Sequence, residues 1–330
     1  MGNDNGGKGG AGSIMRRLVP LVVLLLMAAV FLYVAMEGSS QQNSDVQDNV
    51  QTETGDYETA VSVALPGLEP EKPEVDSSKE IVNDILLSNV PKADYSFSFN
   101  GKLSDALVVT RTGDEDGFNE GTYPEAAEDV LPLFTEGVEG DAIYLDGSYG
   151  VELLGIGALN DSYTISFWFR AEEMQDWSPF LVIGSHLMDV GGSQSFLSFN
   201  KKTTEEGEVV VPVFNTIDAV WNNACEVRPS MDPKQCIFLN EWNYITICVN
   251  GDEASEEGRV MGYLYLNSEM IGSGEVSLLN LDPENVKAYL GINCFDKLFR
   301  ASYDEIHIWQ YVLDESQISS MYAAYLDVQK

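Results

Sequence analysis

The sequence predicts an all-β fold, an antiparallel sandwich of two sheets with one short C-terminal helix, carried behind an N-terminal transmembrane helix. Three observations predict it. From about Lys92 onward apolar residues recur with period two in short runs, turn residues separate those runs, and no long helical stretch interrupts them. Near the other end, residues 18 to 36 read LVPLVVLLLMAAVFLYVAM, 19 uncharged and mostly apolar residues.

Taken in order, residues 1–17 form a polar tail containing Lys8, Arg16 and Arg17. The apolar run that follows is long enough, at about 1.5 Å per residue, to cross a hydrocarbon core of about 30 Å. Pro20 stands in its first turn, where a missing N–H costs little. Residues 37–90 carry twelve acidic and two basic side chains, so the positive-inside rule sets the tail in the cytoplasm and everything after Glu37 outside. A cleaved signal peptide is the competing reading, but its apolar region normally runs about 7 to 15 residues and no A-x-A site follows this one. Residues 37–90 are rich in Ser, Gln, Asp, Glu and Pro and read as a flexible acidic linker, too polar to offset the entropy of ordering. Within it EIVNDILLSNV (80 to 90) has the spacing of a short helix that Pro91 would end.

The folded domain then runs from 91 to 330. Its alternating runs include YSFSF (95 to 99), DAIYL (141 to 145), YTISFWFR (163 to 170), EVVVPVF (208 to 214), NYITICV (243 to 249), VMGYLYL (260 to 266) and YDEIHIW (303 to 309), joined by turn-rich segments such as LDGSYG and LNSE. Asp314 to about Leu326 is the exception. Ile318, Met321, Tyr322 and Tyr325 share one helical stripe behind Asp314 as N-cap.

Charge narrows the partners. With 53 acidic residues against 18 basic ones and a net charge of −35, the chain repels phosphate backbones, so nucleic acid is not expected as a partner.

The segments GVEGDAIYLDGSYGVEL, YTISFWFRAEE, LNEWNYITICVNG, GYLYLNSEMIG, AYLGIN and FRASYDEIHIWQYVLDESQISSMY resemble, in order and spacing, the laminin-G-like jellyroll of the concanavalin A-like lectin superfamily. The closing segment carries most of that likeness: Asp304, Glu305, Ile306, His307, Ile308 and Trp309 follow the family's strand pattern, and Leu313 and Ile318 its short helix. Ala301 departs from it, since a glycine is common there. The resemblance implies a jellyroll sandwich and a structural turn role for Asp304 but fixes no activity, and many members hold Ca²⁺ at a rim, for which no motif here identifies ligands.

No catalytic constellation is expected. On a regular strand Glu305, His307 and Trp309 face one way and Asp304, Ile306 and Ile308 the other, so the two adjacent carboxylates would not converge. Glucanases of the superfamily line up three acidic residues on one strand, and no Glu-x-Asp-x-x-Glu occurs in this chain. The two histidines, His186 and His307, lie outside any nucleophile motif, and Cys225 and Cys236 have no nearby His for a zinc site.

All four cysteines fall beyond the apolar run, which suits an oxidising compartment, and three pairings are open. Cys225 with Cys236 is preferred because the pair brackets EVRPSMDPKQ. Cys248 and Cys294 sit in different strands and either pair or stay as buried thiols. Ligand binding is expected on loops, where aromatic rings can stack on sugars: Asp176 and Trp177 in AEEMQDWSP, and Trp221, Asn222 and Asn223 in the excursion from Asn200 to Asn240. The expected function is a membrane-anchored, extracytoplasmic, non-catalytic module binding a glycan or a surface protein. The rival reading is a structural subunit of a surface assembly, and a glycan-active enzyme ranks third.

Overall fold

The computed structural model describes residues 86–111, 122–174, 177–188, 192–204, 207–218, 225–229, 236–254 and 258–326, all within the unit Pro73–Lys330. The apolar run 18–36, linker residues 37–85 and the expected ligand residues Asp176, Trp221, Asn222 and Asn223 lie outside them. Among the described residues no helix is long and apolar enough to cross a membrane.

Sixteen strands and one helix occupy the described residues. The first eight are β1 (Tyr95–Phe97), β2 (Ala106–Thr110), β3 (Glu125–Ala126), β4 (Leu133–Glu136), β5 (Asp141–Asp146), β6 (Gly150–Leu153), β7 (Tyr163–Ala171) and β8 (Leu181–Ser185). The rest are β9 (Ser193–Thr204), β10 (Gly207–Asp218), β11 (Cys225–Val227), β12 (Asn243–Asn250), β13 (Arg259–Leu266), β14 (Glu269–Ser277), β15 (Val286–Leu290) and β16 (Arg300–Trp309), followed by α1 (Glu315–Leu326). Sheet one has the order β14-β13-β12-β7-β16-β5-β4, with β1 also paired to β16. Sheet two has the order β11-β10-β9-β8-β15-β6-β2-β3.

Alternation builds the core. On β7, Tyr163, Ile165, Phe167 and Phe169 point inward, where they meet Leu181 and Ile183 of β8 and Ile245 and Ile247 of β12 in the cluster between the sheets. Phe180, which precedes β8, anchors this cluster. Its ring lies 4.3 Å from Phe169 and 4.5 Å from Phe199 in edge-to-face contacts.

The helix covers sheet one from outside. Asp314 Oδ1 accepts the Gln317 N–H at 2.9 Å while Gln317 Oε1 accepts the Asp314 N–H at 2.9 Å, a reciprocal capping box that starts α1 at its predicted residue. Ile318, Met321, Ala324 and Tyr325 then pack with Trp168, Tyr244 and Trp309 on that face. Leu86, Leu87 and Val90 pack there too. Gln317 Nε2 donates to the Asn89 carbonyl at 3.1 Å and Trp309 Nε1 to that of Pro91 at 2.8 Å. Packed residues therefore begin inside the stretch expected to be linker, because its apolar end has a surface to cover.

Two expectations need correction, and one open alternative is decided. The excursion expected from Asn200 to Asn240 is partly sheet, since β9 and β10 pair over their full 12-residue lengths. The strand faces of YDEIHIWQ also differ. The register of β16 shifts between Asp304 and His307, and Glu305 adopts φ +47°. This β-bulge turns Asp304, Glu305 and His307 to the same outer face while Ile306 and Ile308 remain inward. Of the two outcomes open for Cys248 and Cys294, a disulfide or buried thiols, the structure has buried thiols. Cys248 lies under α1, its Sγ 3.6 Å from Thr164 Oγ1, and Cys294 lies on the outer face of sheet two, with the whole sandwich between them. Cys236 is buried beside Val211, and the Cys225 side chain lies outside the described residues.

Candidate functional site

The outer face of sheet two carries a cavity of about 540 Å³. Strand alternation supplies its floor. Leu197 and Phe199 of β9 face the core, so Gln194 and Phe196 face out, beside Val182 of β8, which pairs with Phe196. Two connecting segments raise its walls. The link from β7 to β8 brings Trp177, and the turn after β15 brings Asn293, Cys294, Phe295 and Asp296. Leu187 closes the end near β8.

Trp177 is held in an unusual way. Its N–H donates to the Phe199 carbonyl at 3.3 Å, its backbone sits at φ +66°, and half of the residue remains exposed, at 50%. A bulky residue in the left-handed region is uncommon and costs free energy.

The turn after β15 is rigidly built. Asn293 Oδ1 accepts the N–H of Phe295 at 2.9 Å and of Asp296 at 2.7 Å, and its Nδ2 donates to Asp296 Oδ2 at 2.6 Å. From below, the buried Arg111 guanidinium donates to the carbonyls of Asn293 at 2.8 Å and Asp296 at 2.7 Å. Burial raises the Asp296 carboxyl above its ordinary range, opposed by the Asn293 hydrogen bond and Arg111. Burial also pushes the Cys294 thiol up to about 12, so it stays protonated near neutral pH and is a poor nucleophile.

The acidic residues of β16 form a different environment. Asp304 is fully buried; its Oδ2 accepts the N–H of Val138 at 2.9 Å and of Glu139 at 3.2 Å, and its Oδ1 that of Glu305 at 2.9 Å. Glu305 Oε2 accepts the Tyr325 hydroxyl at 3.0 Å and lies 3.2 Å from His307 Nε2, while His307 Nδ1 is 3.0 Å from Ser96 Oγ. These groups join the bulge to α1 and to the turn around Val138. His186 is on the other sheet's side, its Nε2 3.1 Å from Asp282 Oδ2 at the surface. Among the described residues no group of three or more His, Cys, Asp or Glu is placed to hold a metal ion.

Of the ligand residues expected from sequence, Trp177 lines the cavity and the other four lie outside the described residues. Sequence reasoning missed Gln194, Phe196, Phe295 and Asp296. The available signals were the outward register of β9 and the NCFD turn that follows AYLGI.

Domain 4 of AbnA, an extracellular GH43 arabinanase from Geobacillus stearothermophilus solved with arabinotriose, is similar in structure at 17% identity and TM-score 0.48, over 72% of this chain and 98% of that one. The binding domain of Paraclostridial Mosquitocidal Protein 1 is similar at 16% identity and TM-score 0.46, over 74% of this chain and 53% of that one. The receptor-binding domain of botulinum neurotoxin type G follows at 15% identity and TM-score 0.44, over 71% of this chain and 51% of that one. No curated protein matches the sequence. Residues 146–319, more than half of the chain and running from the last residue of β5 into the start of α1, match the Laminin_G_3 family, and the protein belongs to the concanavalin A-like lectin/glucanases superfamily.

Proposed function

We propose that this chain is a non-catalytic recognition module, tethered to a membrane through residues 18–36 with its sandwich on the extracytoplasmic side, and that it binds a glycan or a surface protein through the pocket on sheet two. Trp177 carries the reading. A large ring kept half exposed, on a backbone conformation that costs of order 1–3 kcal/mol, is hard to explain by folding alone and easy to explain as a preorganised contact surface. A wall of aromatic and aliphatic side chains with a few polar groups is the usual make-up of a ligand site. Absence of chemistry is supported by the protonated Cys294 thiol and by the engagement of Asp304 with backbone donors. The apolar run and the charge asymmetry around it support the tether.

The test is a screen of the full-length chain in detergent against a glycan library and a panel of surface proteins, run in parallel with Trp177→Ala. A ligand that the variant binds at least about tenfold more weakly, at unchanged melting temperature, is the expected result. If every ligand recovered binds the two proteins equally, the pocket is not the site.

A further inference from the structure

The polar groups around the cavity differ in what they still have to give. The Asn293 amide is engaged within its own turn, and the carbonyls of Asn293 and Asp296 are taken by Arg111. Gln194 stands apart. It is 8% exposed, it lines the cavity, and its amide makes no hydrogen bond among the described residues. Gly184, its cross-strand partner on β8, leaves the space it occupies: a Cβ there would lie 2.5 Å from Gln194 Cβ and 2.6 Å from Leu187 Cδ2. The residue is mostly covered, but its amide is open to the cavity, where it offers an occupant an N–H donor group and a carbonyl acceptor.

The surroundings define the rest of that occupant. Val182, Leu187, Phe196 and Phe295 offer hydrocarbon and ring surface, and Trp177 offers a half-exposed ring face. An unsubstituted pyranose carries hydroxyls around its ring, and in this cavity they would lose water with little beyond Gln194 and the Asp296 carboxylate to replace it. An acetamido group instead brings a methyl for the apolar wall and an N–H and C=O for the amide. Asp296 and the net charge of −35 disfavour acidic sugars.

Taking the pocket as the ligand site of the recognition module, we propose that it binds an uncharged N-acetylated hexose, with the acetamido group between Gln194 and the Val182, Leu187 and Phe196 wall and the sugar ring against Trp177. The experiment titrates the full-length chain in detergent with methyl glycosides of N-acetylglucosamine, N-acetylgalactosamine, glucose and galactose, and with Nε-acetyl-lysine. Affinity is followed by tryptophan fluorescence, and the contact by saturation transfer to the acetyl methyl. At least one acetamido sugar should bind about tenfold or more tightly than its parent sugar and than Nε-acetyl-lysine, with the methyl receiving the strongest transfer. Gln194→Leu should erase that preference and Trp177→Ala should remove binding, with melting temperatures reported for both.

Equal binding of the parent sugars overturns the proposal without any variant being needed, and so does a preference that survives Gln194→Leu. Binding of Nε-acetyl-lysine as tight as that of the sugars overturns the sugar assignment. If none of these probes binds while another ligand from the screen is lost with Trp177→Ala, the N-acetylated hexose is wrong and the recognition module stands. If Trp177→Ala alters no interaction at all, the module's site falls with it.

Discussion

Asp304 shows how much one buried carboxylate can organise. It joins three backbone N–H groups around the bulge of β16, and Gly137 lets it in: a Cβ on that residue would come within 2.4 Å of Asp304 Oδ2. Asp304→Ala should cost about 1–3 kcal/mol, read from thermal or denaturant unfolding, because those donors lose their acceptor in a buried site. An unchanged midpoint would mean that the turn holds itself. Ionisation adds a second readout. Burial outweighs the three hydrogen bonds and pushes the Asp304 carboxyl from 3.8 to about 7, with the nearby Glu305 adding to the rise. A folded-state value above the unfolded one makes the folded protein the better proton acceptor, so this group's contribution is fully present below about pH 4 and is lost as pH rises through about 7. Glu139, whose carboxyl is also raised by burial, acts in the same direction, while Glu305, His307 and Tyr325 complete the set of titratable groups facing the site. The melting temperature should fall between pH 5 and pH 8, and Asp304→Asn should flatten that slope.

At the scale of elements, the parts read correctly from sequence were those in which one local rule decides the outcome. Period-two runs gave the strands because one face of each must meet the core, and α1 was legible from the stripe of Ile318, Met321, Tyr322 and Tyr325 behind Asp314 as N-cap, to which the structure adds the reciprocal bond with Gln317. The bulge in β16 was not legible, since only pairing with β7 on one side and β5 and β1 on the other reveals the shift in register. The cavity floor was hidden for a related reason: Gln194 matters only once Gly184 is known to stand across from it. The packing of the short segment before β1, which the sequence offers as a short helix at the end of the linker, was not legible either, because its partners on α1 and sheet one lie more than 200 residues away. That segment can be tested directly. A chain starting at residue 86 should keep a cooperative unfolding transition, whereas one starting at residue 91 exposes the apolar surface that Leu86, Leu87 and Val90 cover and should melt several degrees lower. Equal melting of the two would show that these contacts contribute nothing.

For the molecule as a whole, the two outer faces of the sandwich have unlike roles, and the division can be measured. Sheet one turns its outer side chains to α1, where Trp168 is fully buried, stacked on Tyr322 at 5.5 Å and 5.1 Å from Tyr244. Sheet two leaves its cavity open beneath Trp177. A tryptophan on the first face contributes apolar burial, and a tryptophan on the second leaves half of its surface in water at a backbone angle that glycine would adopt more easily. Trp168→Ala should therefore destabilise the domain by about 3–5 kcal/mol, the range for a large aromatic removed from a packed core. Trp177→Gly should change stability by no more than about 0.5 kcal/mol, or raise it, because what is lost in contact is offset by relief at φ +66°. Denaturant melts of the two variants beside the parent chain decide the matter. A large loss for Trp177→Gly would make that ring part of the core's edge, and the cavity under it would then be a packing feature with no claim to a ligand.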